Sequence, residues 1–235
     1  MIWSKARWQH SMELFPRVMK EVAFYLIPLS ITLWGLEYYV ASLHQARFDN
    51  PYEASTLKLV SVGLGAFVLE SLITVTWLIM VAKSTQRQMK NGIGEPLLPF
   101  TFKNFQQTLI EYIRAAISVG LYAFLLIIPG LIRWVRLSFT CLVAALDDTY
   151  KKGKLDALET SSKLVKGHGF ALFFLLMLQG VGPALSEKLG SDTGSLFLTA
   201  GFYFVGWMFS LLVGIYFTLT FFALKTLKLE APQCT

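Results

Sequence analysis

The chain has 235 residues, of which 54% are hydrophobic and only 15% are charged, well below the roughly 25% charged residues of an ordinary soluble domain. Its apolar residues form long runs without period-2 alternation, which excludes an outer-membrane β-barrel and predicts an all-α, polytopic membrane protein with a single domain over residues 1–235. The net charge of +6 comes from basic clusters beside the apolar runs, a pattern that suits an anionic lipid leaflet and not a nucleic acid.

Six apolar runs are predicted to be transmembrane helices. They cover residues 22–43, 57–82, 109–128, 131–146, 168–185 and 196–224. The fourth run rises only about 24 Å, at about 1.5 Å per residue, against about 30 Å of hydrocarbon. It therefore crosses only with local thinning of the bilayer or snorkelling of its ends, and a re-entrant path is the alternative.

The basic residues predict which side of the membrane each end of the chain faces. With six crossings, one side receives fifteen of the 21 Lys and Arg residues, and the positive-inside rule makes that side cytoplasmic. A few basic residues fall on or near the opposite face, namely Arg47, Lys58, Lys188, Arg133 and Arg136. Both termini are therefore predicted to be cytoplasmic, and Pro129-Gly130 is predicted to form an outer turn.

A short amphipathic segment precedes each pair of apolar runs. These segments are residues 1–19, 100–111 and 155–166. Helices of this kind lie in the membrane interface with their apolar faces toward the hydrocarbon. The predicted architecture is three helical hairpins around a common interior, each preceded by a cytoplasmic elbow helix.

Arg133 and Arg136 lie within the fourth apolar run and, being three residues apart, share one face of a helix. An arginine at the centre of a membrane helix costs about 2.5–3.5 kcal/mol, so both guanidiniums must reach headgroups, water or a buried acid. Three interpretations follow. The pair snorkels to outer-leaflet phosphates, it forms a two-pronged site for a lipid headgroup or another phosphate, or it pairs with Glu70 or Glu37.

Glu70 is the most deeply placed acid of the sequence, near the middle of the second run. A carboxylate at this depth is protonated, ion-paired or faces a wet cavity. Arg114 and Arg136 are the predicted partners by depth. Structural pairing, proton or ion coupling, and neutral burial are the three alternatives for this side chain.

No catalytic or metal-binding motif is recognised in the sequence. Its three histidines do not share a side and a depth in the predicted topology, and P-loop, HExxH and GxSxG patterns are absent. We therefore expect no enzymatic activity, no metal and no cofactor. Asp147 and Asp148 are predicted to end the fourth helix and cap the following turn, and Gly167 is predicted to stop a helix at a hinge before the fifth run.

Five short motifs occur in a fixed order between residues 128 and 168. They are Ile128-Pro129-Gly130, Arg136-Leu137-Ser138-Phe139, Leu146-Asp147-Asp148, Ala157-Leu158-Glu159-Thr160-Ser161 and Leu164-Val165-Lys166-Gly167-His168. In this order and spacing they resemble a widespread bacterial family of uncharacterised integral-membrane proteins, related to the membrane domain that precedes some glycerophosphoryl diester phosphodiesterases. The sequence departs from that family's pattern at Ala144-Ala145 and at Thr160-Ser161-Ser162.

The resemblance implies a six-span protein of the bacterial cytoplasmic (inner) membrane, with family-motif residues at Pro129, Gly130, Asp147, Lys166 and Gly167. It also suggests phospholipid-derived ligands, although the chain has no room for a phosphodiesterase barrel. We expect a non-enzymatic protein that interacts with or handles membrane phospholipid through Arg133 and Arg136. The alternatives are a scaffold or accessory subunit with a protein partner, and an ion- or proton-coupled transporter that uses Glu70.

Overall fold

The predicted all-α class is confirmed. The computed structural model describes residues 4–49, 56–151, 153, 155–192 and 196–230. Helices account for 89% of the structure, and no strand occurs in the described residues. The helices in these ranges are α1 (Lys5–Asp49), α2 (Thr56–Met89), α3 (Leu97–Leu125), α4 (Ile127–Arg136), α5 (Thr140–Leu146), α6 (Asp148–Lys151), α7 (Ala157–Val165), α8 (Gly169–Asp192) and α9 (Leu196–Lys225), followed by a π-helical turn at Thr226–Glu230.

Several helices are long and apolar enough to cross a membrane. Four such stretches occur in the described residues, Ser61–Met89, Leu97–Leu125, Ile127–Leu146 and Gly201–Lys228. A fifth results if α7 and the first part of α8, which are bent by 106°, are counted as one span. The chain is therefore compatible with a multi-pass membrane protein of four or five spans by this criterion. The predicted first span, residues 22–43, lies in α1, and many of its side chains fall outside the described residues.

The predicted elbow helices are found in only one of the three places. Helix α7 is a separate helix at residues 157–165, and the bend after it occurs where Gly167 adopts a φ of +85°, a conformation that favours glycine. The segments at 4–19 and 100–111 instead continue without interruption into α1 and α3. Neither helix contains a residue with positive φ of the kind found at Gly167, and both stay helical through these segments.

The predicted outer turn at Pro129-Gly130 is wrong in its position. The chain turns at Leu126, which is extended (φ −158°, ψ 135°), and α4 begins at the next residue. Pro129 lies in the first turn of α4, where a missing N–H removes no helical hydrogen bond. A Cβ atom on Gly130 would lie 2.6 Å from the Cα of Ala123 in α3. Glycine is therefore required for the close approach of the two helices.

The core is centred on α5, in which every residue is buried. Phe139, just before α5, packs against Phe217 and Phe221 of α9 with ring centroids 4.7 Å and 5.6 Å apart. The carboxylate of Asp147, just after α5, lies 3.2 Å from the ammonium of Lys225 at the end of α9. These contacts hold α5 and the residues on either side of it against the C-terminal part of α9.

Candidate functional site

An open groove of about 680 Å³ lies where α4, α7 and α8 meet. It has charged side chains from two helices, Arg136 at the end of α4 and Lys166 just after α7. Its remaining walls are mainly apolar and are formed by Leu131, Ile132, Val135, Ser162, Val165, Gly167, Gly169, Phe170 and Phe173. The groove therefore combines two cationic side chains with a mainly hydrophobic surface.

The position of Arg136 is fixed by a hydroxyl group of α7. Ser161 Oγ donates a hydrogen bond to the carbonyl oxygen of Arg136 at 2.8 Å and accepts one from the backbone N–H of Phe139 at 3.1 Å. Both are backbone groups of the turn between α4 and α5. A backbone N–H or carbonyl group that is buried without a hydrogen-bond partner destabilises the fold. Ser161 satisfies them and holds the end of α4 beside α7.

The position of Lys166 is fixed by Lys228, in the π-helical turn that follows α9. The ammonium of Lys228 donates to the carbonyl oxygens of Lys163 (3.3 Å), Leu164 (3.0 Å) and Lys166. These carbonyls belong to the C-terminal end of α7, where the helix dipole favours a positive charge. Lys228 thereby anchors the loop that carries Lys166 toward the groove.

Arg136 and Lys166 have no acidic partner within 4 Å among the described residues. Both side chains are exposed. The neighbouring Lys163, by contrast, is 2.7 Å from the carboxylate of Glu159. Two cations that face one groove without counter-charges form a site suited to an anion.

Arg133 does not line this groove, so the groove contains only one of the two arginines predicted as an anion-binding pair. An anion site formed by Arg133 and Arg136 together stays a prediction. Arg133 Nε donates to Ser118 Oγ of α3 at 2.9 Å, and its guanidinium carbon lies 5.5 Å from the centre of the Tyr122 ring. These contacts place Arg133 against α3. Lys166, which the sequence marked only as a family-motif residue, is the second cation of the site.

The predicted depth of Arg136 also requires correction. Arg136 was predicted to lie near the outer face and the basic segment at 155–166 on the cytoplasmic side. In the structure the carbonyl of Arg136 is hydrogen-bonded to Ser161 within that segment, so Arg136 and this segment do not lie at opposite faces of a bilayer.

The predicted partners of Glu70 are not found. Glu70 is exposed on α2 and makes no ion pair with any described residue. Arg114 instead binds Glu111 (2.9 Å) and Asp156 (3.1 Å). The side chain of Glu37, the other predicted acid partner of the arginines, lies outside the described residues.

A polar network that the sequence analysis missed joins α3 to the start of α7. Glu111 is buried and accepts a hydrogen bond from the Tyr150 hydroxyl at 3.0 Å. Burial and this hydrogen bond raise the pKa of Tyr150 to about 12. Asp156 caps α7 by accepting from the backbone N–H of Leu158 at 2.8 Å. The only signal in the sequence is the Asp-x-x-Glu spacing of Asp156 and Glu159, which is typical of a helix start.

Replacing the cap of α7 is expected to destabilise the protein. Burial alone would raise the pKa of Asp156, but hydrogen bonds from the Leu158 backbone and Arg114 outweigh it and lower the pKa. The carboxylate therefore contributes stability above its usual pKa of 3.8, and this is lost as the pH falls through the lowered value. Asp156→Ala should cost about 0.5–2 kcal/mol at neutral pH, measured by thermal unfolding in detergent. Asp148→Ala, at an exposed carboxylate, is the control, and equal losses in both variants would contradict this role.

Comparisons with protein-family models, with curated proteins and with solved structures gave no match. The resemblance to the bacterial membrane family stays a prediction from the motifs between residues 128 and 168.

Proposed function

We propose that this chain is a non-enzymatic, multi-pass membrane protein that binds an anionic phospholipid in the groove between α4, α7 and α8. The observation that supports the proposal is that Arg136 and Lys166 both line a groove with mainly apolar walls and have no acidic partner within 4 Å among the described residues. A soluble anion would need only the cations. A phospholipid would also use the apolar walls.

The groups of the groove match the parts of a phospholipid. A guanidinium binds two phosphate oxygens in parallel, whereas an ammonium supplies a point charge that tolerates different headgroup geometries. The hydroxyl of Ser162, which also lines the groove, is a further possible donor. An acyl chain would then lie along Ile132 and Phe170, both of which are exposed in the structure.

The bound lipid would belong to the cytoplasmic leaflet. The basic residues favour a cytoplasmic position for α7 and for both termini in a bacterial inner membrane, and Arg136 lies at the level of α7. The apolar runs predict six crossings arranged as three hairpins. Both termini lie on one side only if the number of crossings is even, so this assignment of the leaflet requires that the third and fourth runs either both cross or both turn back.

Glu70 supports a second candidate function, that of an accessory subunit. Its carboxylate is exposed on α2 and has no ion-pair partner among the described residues. A charged group in this position is costly in lipid, and a donor on the helix of a partner protein would stabilise it. Coupling of Glu70 to transport is the remaining alternative. The groove described above does not include this residue.

Native mass spectrometry tests the lipid proposal on the protein extracted from membranes in mild detergent. The wild-type chain should retain phospholipid with an anionic headgroup, identified by its mass. Arg136→Gln/Lys166→Gln should lower the affinity at least about tenfold, since each charged hydrogen bond contributes about 1.5–3 kcal/mol.

A matched control removes the same charges from the same region of the molecule. Arg133→Gln/Lys163→Gln changes one arginine on α4 and one lysine on α7, neither of which lines the groove. This variant should keep its lipid. Equal retention by both double variants, or equal loss from both, would contradict a site at Arg136 and Lys166. A stable protein partner without bound lipid would favour the accessory role.

A further inference from the structure

We propose that the hairpin of α3 and α4 enters the membrane from the side of α7 and turns back within the hydrocarbon, so that it does not cross the bilayer. The occupant of its exposed surface is the acyl-chain region of that leaflet. This inference rests on the geometry of the hairpin and is independent of lipid binding in the groove.

The tip of the hairpin is apolar and exposed. Residues 121–128 read LYAFLLII, and the Phe124 side chain at the tip is 91% exposed. The hydroxyl of Tyr122 is the only polar side-chain group in this segment. A turn that emerged into water would bring this whole surface into contact with solvent, whereas a turn inside the membrane leaves it among acyl chains.

The backbone of the tip also suits a site without water. Leu126 N–H donates to the carbonyl of Tyr122 at 3.0 Å, and Gly130 N–H donates to the carbonyl of Leu126 at 3.2 Å. Pro129 has no N–H, so the first turn of α4 has one fewer unpaired donor. A backbone group without a hydrogen bond costs several kcal/mol in hydrocarbon. The two hydrogen bonds and Pro129 leave few such groups in this turn.

The base of the hairpin lies at the level of an aqueous surface. Arg114 of α3 is paired with Asp156 at the start of α7, and the carbonyl of Arg136 is bound by Ser161 within α7. Helix α7 itself carries an exposed ion pair between Glu159 and Lys163, with 64% and 65% of these side chains accessible. An exposed ion pair belongs at the headgroups or in water, so the hairpin starts there.

From this base the hairpin is too short to reach the opposite surface. Arg114 to Leu125 rises about 16 Å and the whole of α4 about 15 Å, which is half of the roughly 30 Å hydrocarbon thickness. Helices α8 and α9, with 24 and 30 residues, rise about 36 Å and 45 Å and are long enough to cross. The stretches Leu97–Leu125 and Ile127–Leu146 satisfy a length and composition criterion for spanning. Each, however, contains one arginine that marks the base of the hairpin, Arg114 in the first and Arg136 in the second.

If the hairpin turns back, the basic residues are distributed more unequally between the two sides of the membrane than with six crossings. Because neither of its legs crosses, the sides assigned to the other segments do not change. Arg114, Arg133 and Arg136 then join the cytoplasmic side, which receives eighteen of the 21 basic residues. The remaining crossings are the four predicted at residues 22–43, 57–82, 168–185 and 196–224, and this arrangement agrees better with the positive-inside rule.

Single cysteines in the full chain test the proposal in vesicles of phosphatidylcholine and phosphatidylglycerol. The background carries Cys141→Ala and Cys234→Ser. Phe124→Cys reports on the tip, Lys163→Cys on the side of α7, and Lys188→Cys on the opposite side. A membrane-impermeant maleimide, added to vesicles of either orientation, should label each reference cysteine from one side only and leave the tip cysteine unlabelled from both.

A fluorophore attached to the tip cysteine before reconstitution gives the depth. Its emission should be quenched most by lipids brominated near the ends of the acyl chains, because the tip lies near the bilayer centre. Labelling of Phe124→Cys from the side of Lys188→Cys would overturn the proposal in favour of a full crossing. Labelling from the side of Lys163→Cys would overturn it in favour of a hairpin outside the membrane. Ile128→Cys, also exposed at the tip, replaces Phe124→Cys if that variant does not fold.

Discussion

Asp147→Ala is expected to destabilise the protein by about 3 kcal/mol, because it leaves the ammonium of Lys225 without its partner. The carboxylate of Asp147 is only 2% exposed and lies 3.2 Å from Lys225 Nζ. It also accepts a hydrogen bond from the backbone N–H of Thr149 at 2.9 Å. The loss should lie at the lower end of the range for buried pairs, since 22% of the Lys225 side chain is accessible. Thermal or denaturant unfolding in detergent measures it.

The pH dependence of the same variant has a defined sign. Burial alone would raise the pKa of Asp147, but hydrogen bonds from Thr149 and Lys225 outweigh it and lower the pKa. A lowered folded-state pKa means stability that is present above the usual value of 3.8 and is lost as the pH falls through the lowered value. The difference between wild type and Asp147→Ala should therefore be constant near neutral pH and shrink in acid.

A double-mutant cycle with Lys225→Met separates the ion pair from the other contacts of Asp147. The double variant Asp147→Ala/Lys225→Met should be more stable than Asp147→Ala alone, because no unpaired charge remains buried. Two independent, additive losses would show that the pair is not coupled. A loss in Asp147→Ala below about 1 kcal/mol, the range of exposed ion pairs, would contradict a buried role for this residue.

Gly130→Ala is expected to destabilise the α3–α4 hairpin by about 1–3 kcal/mol, even though alanine favours a helix over glycine by about 1 kcal/mol. The added Cβ would lie 2.6 Å from both the Cα and the Cβ of Ala123. Backbone atoms cannot move away by rotation of a side chain, so the helices must separate. Unfolding in detergent measures the loss.

Gly120→Ala is the matched control on the same hairpin. A Cβ at Gly120 would meet nothing within 4 Å, so this substitution should be neutral or slightly stabilising. Combining Gly130→Ala with Ala123→Gly should recover part of the stability, because one of the clashing atoms is removed. If Gly130→Ala and Gly120→Ala behave alike, the two helices do not approach as closely as described.

The sequence predicted those features whose determining residues lie next to them in the chain. The apolar runs predicted the all-α class, and the residues after α7 predicted a helix stop at Gly167, whose φ of +85° confirms it. Asp147 was predicted to cap a turn, and its carboxylate accepts from Thr149 N–H. In each case the signal and the structure that it predicts lie within a few residues of one another.

The position of the turn between α3 and α4 could not be predicted in this way. Pro129-Gly130 is the strongest turn signal in the segment, but the chain turns at Leu126, which carries none. Proline is equally suited to the first turn of a helix, and Gly130 is needed for contact with Ala123. The same two residues therefore fit either a turn or a helix start, and packing against α3 decides between them.

The groove was not predicted from the sequence, for a similar reason. Arg133 and Arg136 were proposed as a possible anion-binding pair on one helix face, whereas the groove is lined by Arg136 and by Lys166, which follows a different helix. The two are brought together by the bond between Ser161 and the Arg136 carbonyl and by the 106° bend after α7. Helical periodicity relates Arg136 to Arg133 and contains no information about such a contact between helices.

Photocrosslinking with an anionic phospholipid that carries a diazirine on one acyl chain tests the central proposal most directly. With the wild-type protein in membranes, crosslinks should concentrate on the peptides around Ile132 and Phe170 beside the groove. They should be lost in Arg136→Gln/Lys166→Gln and kept in Arg133→Gln/Lys163→Gln. Crosslinks spread evenly over the exposed apolar helices, with no change in either variant, would contradict a phospholipid site in the groove.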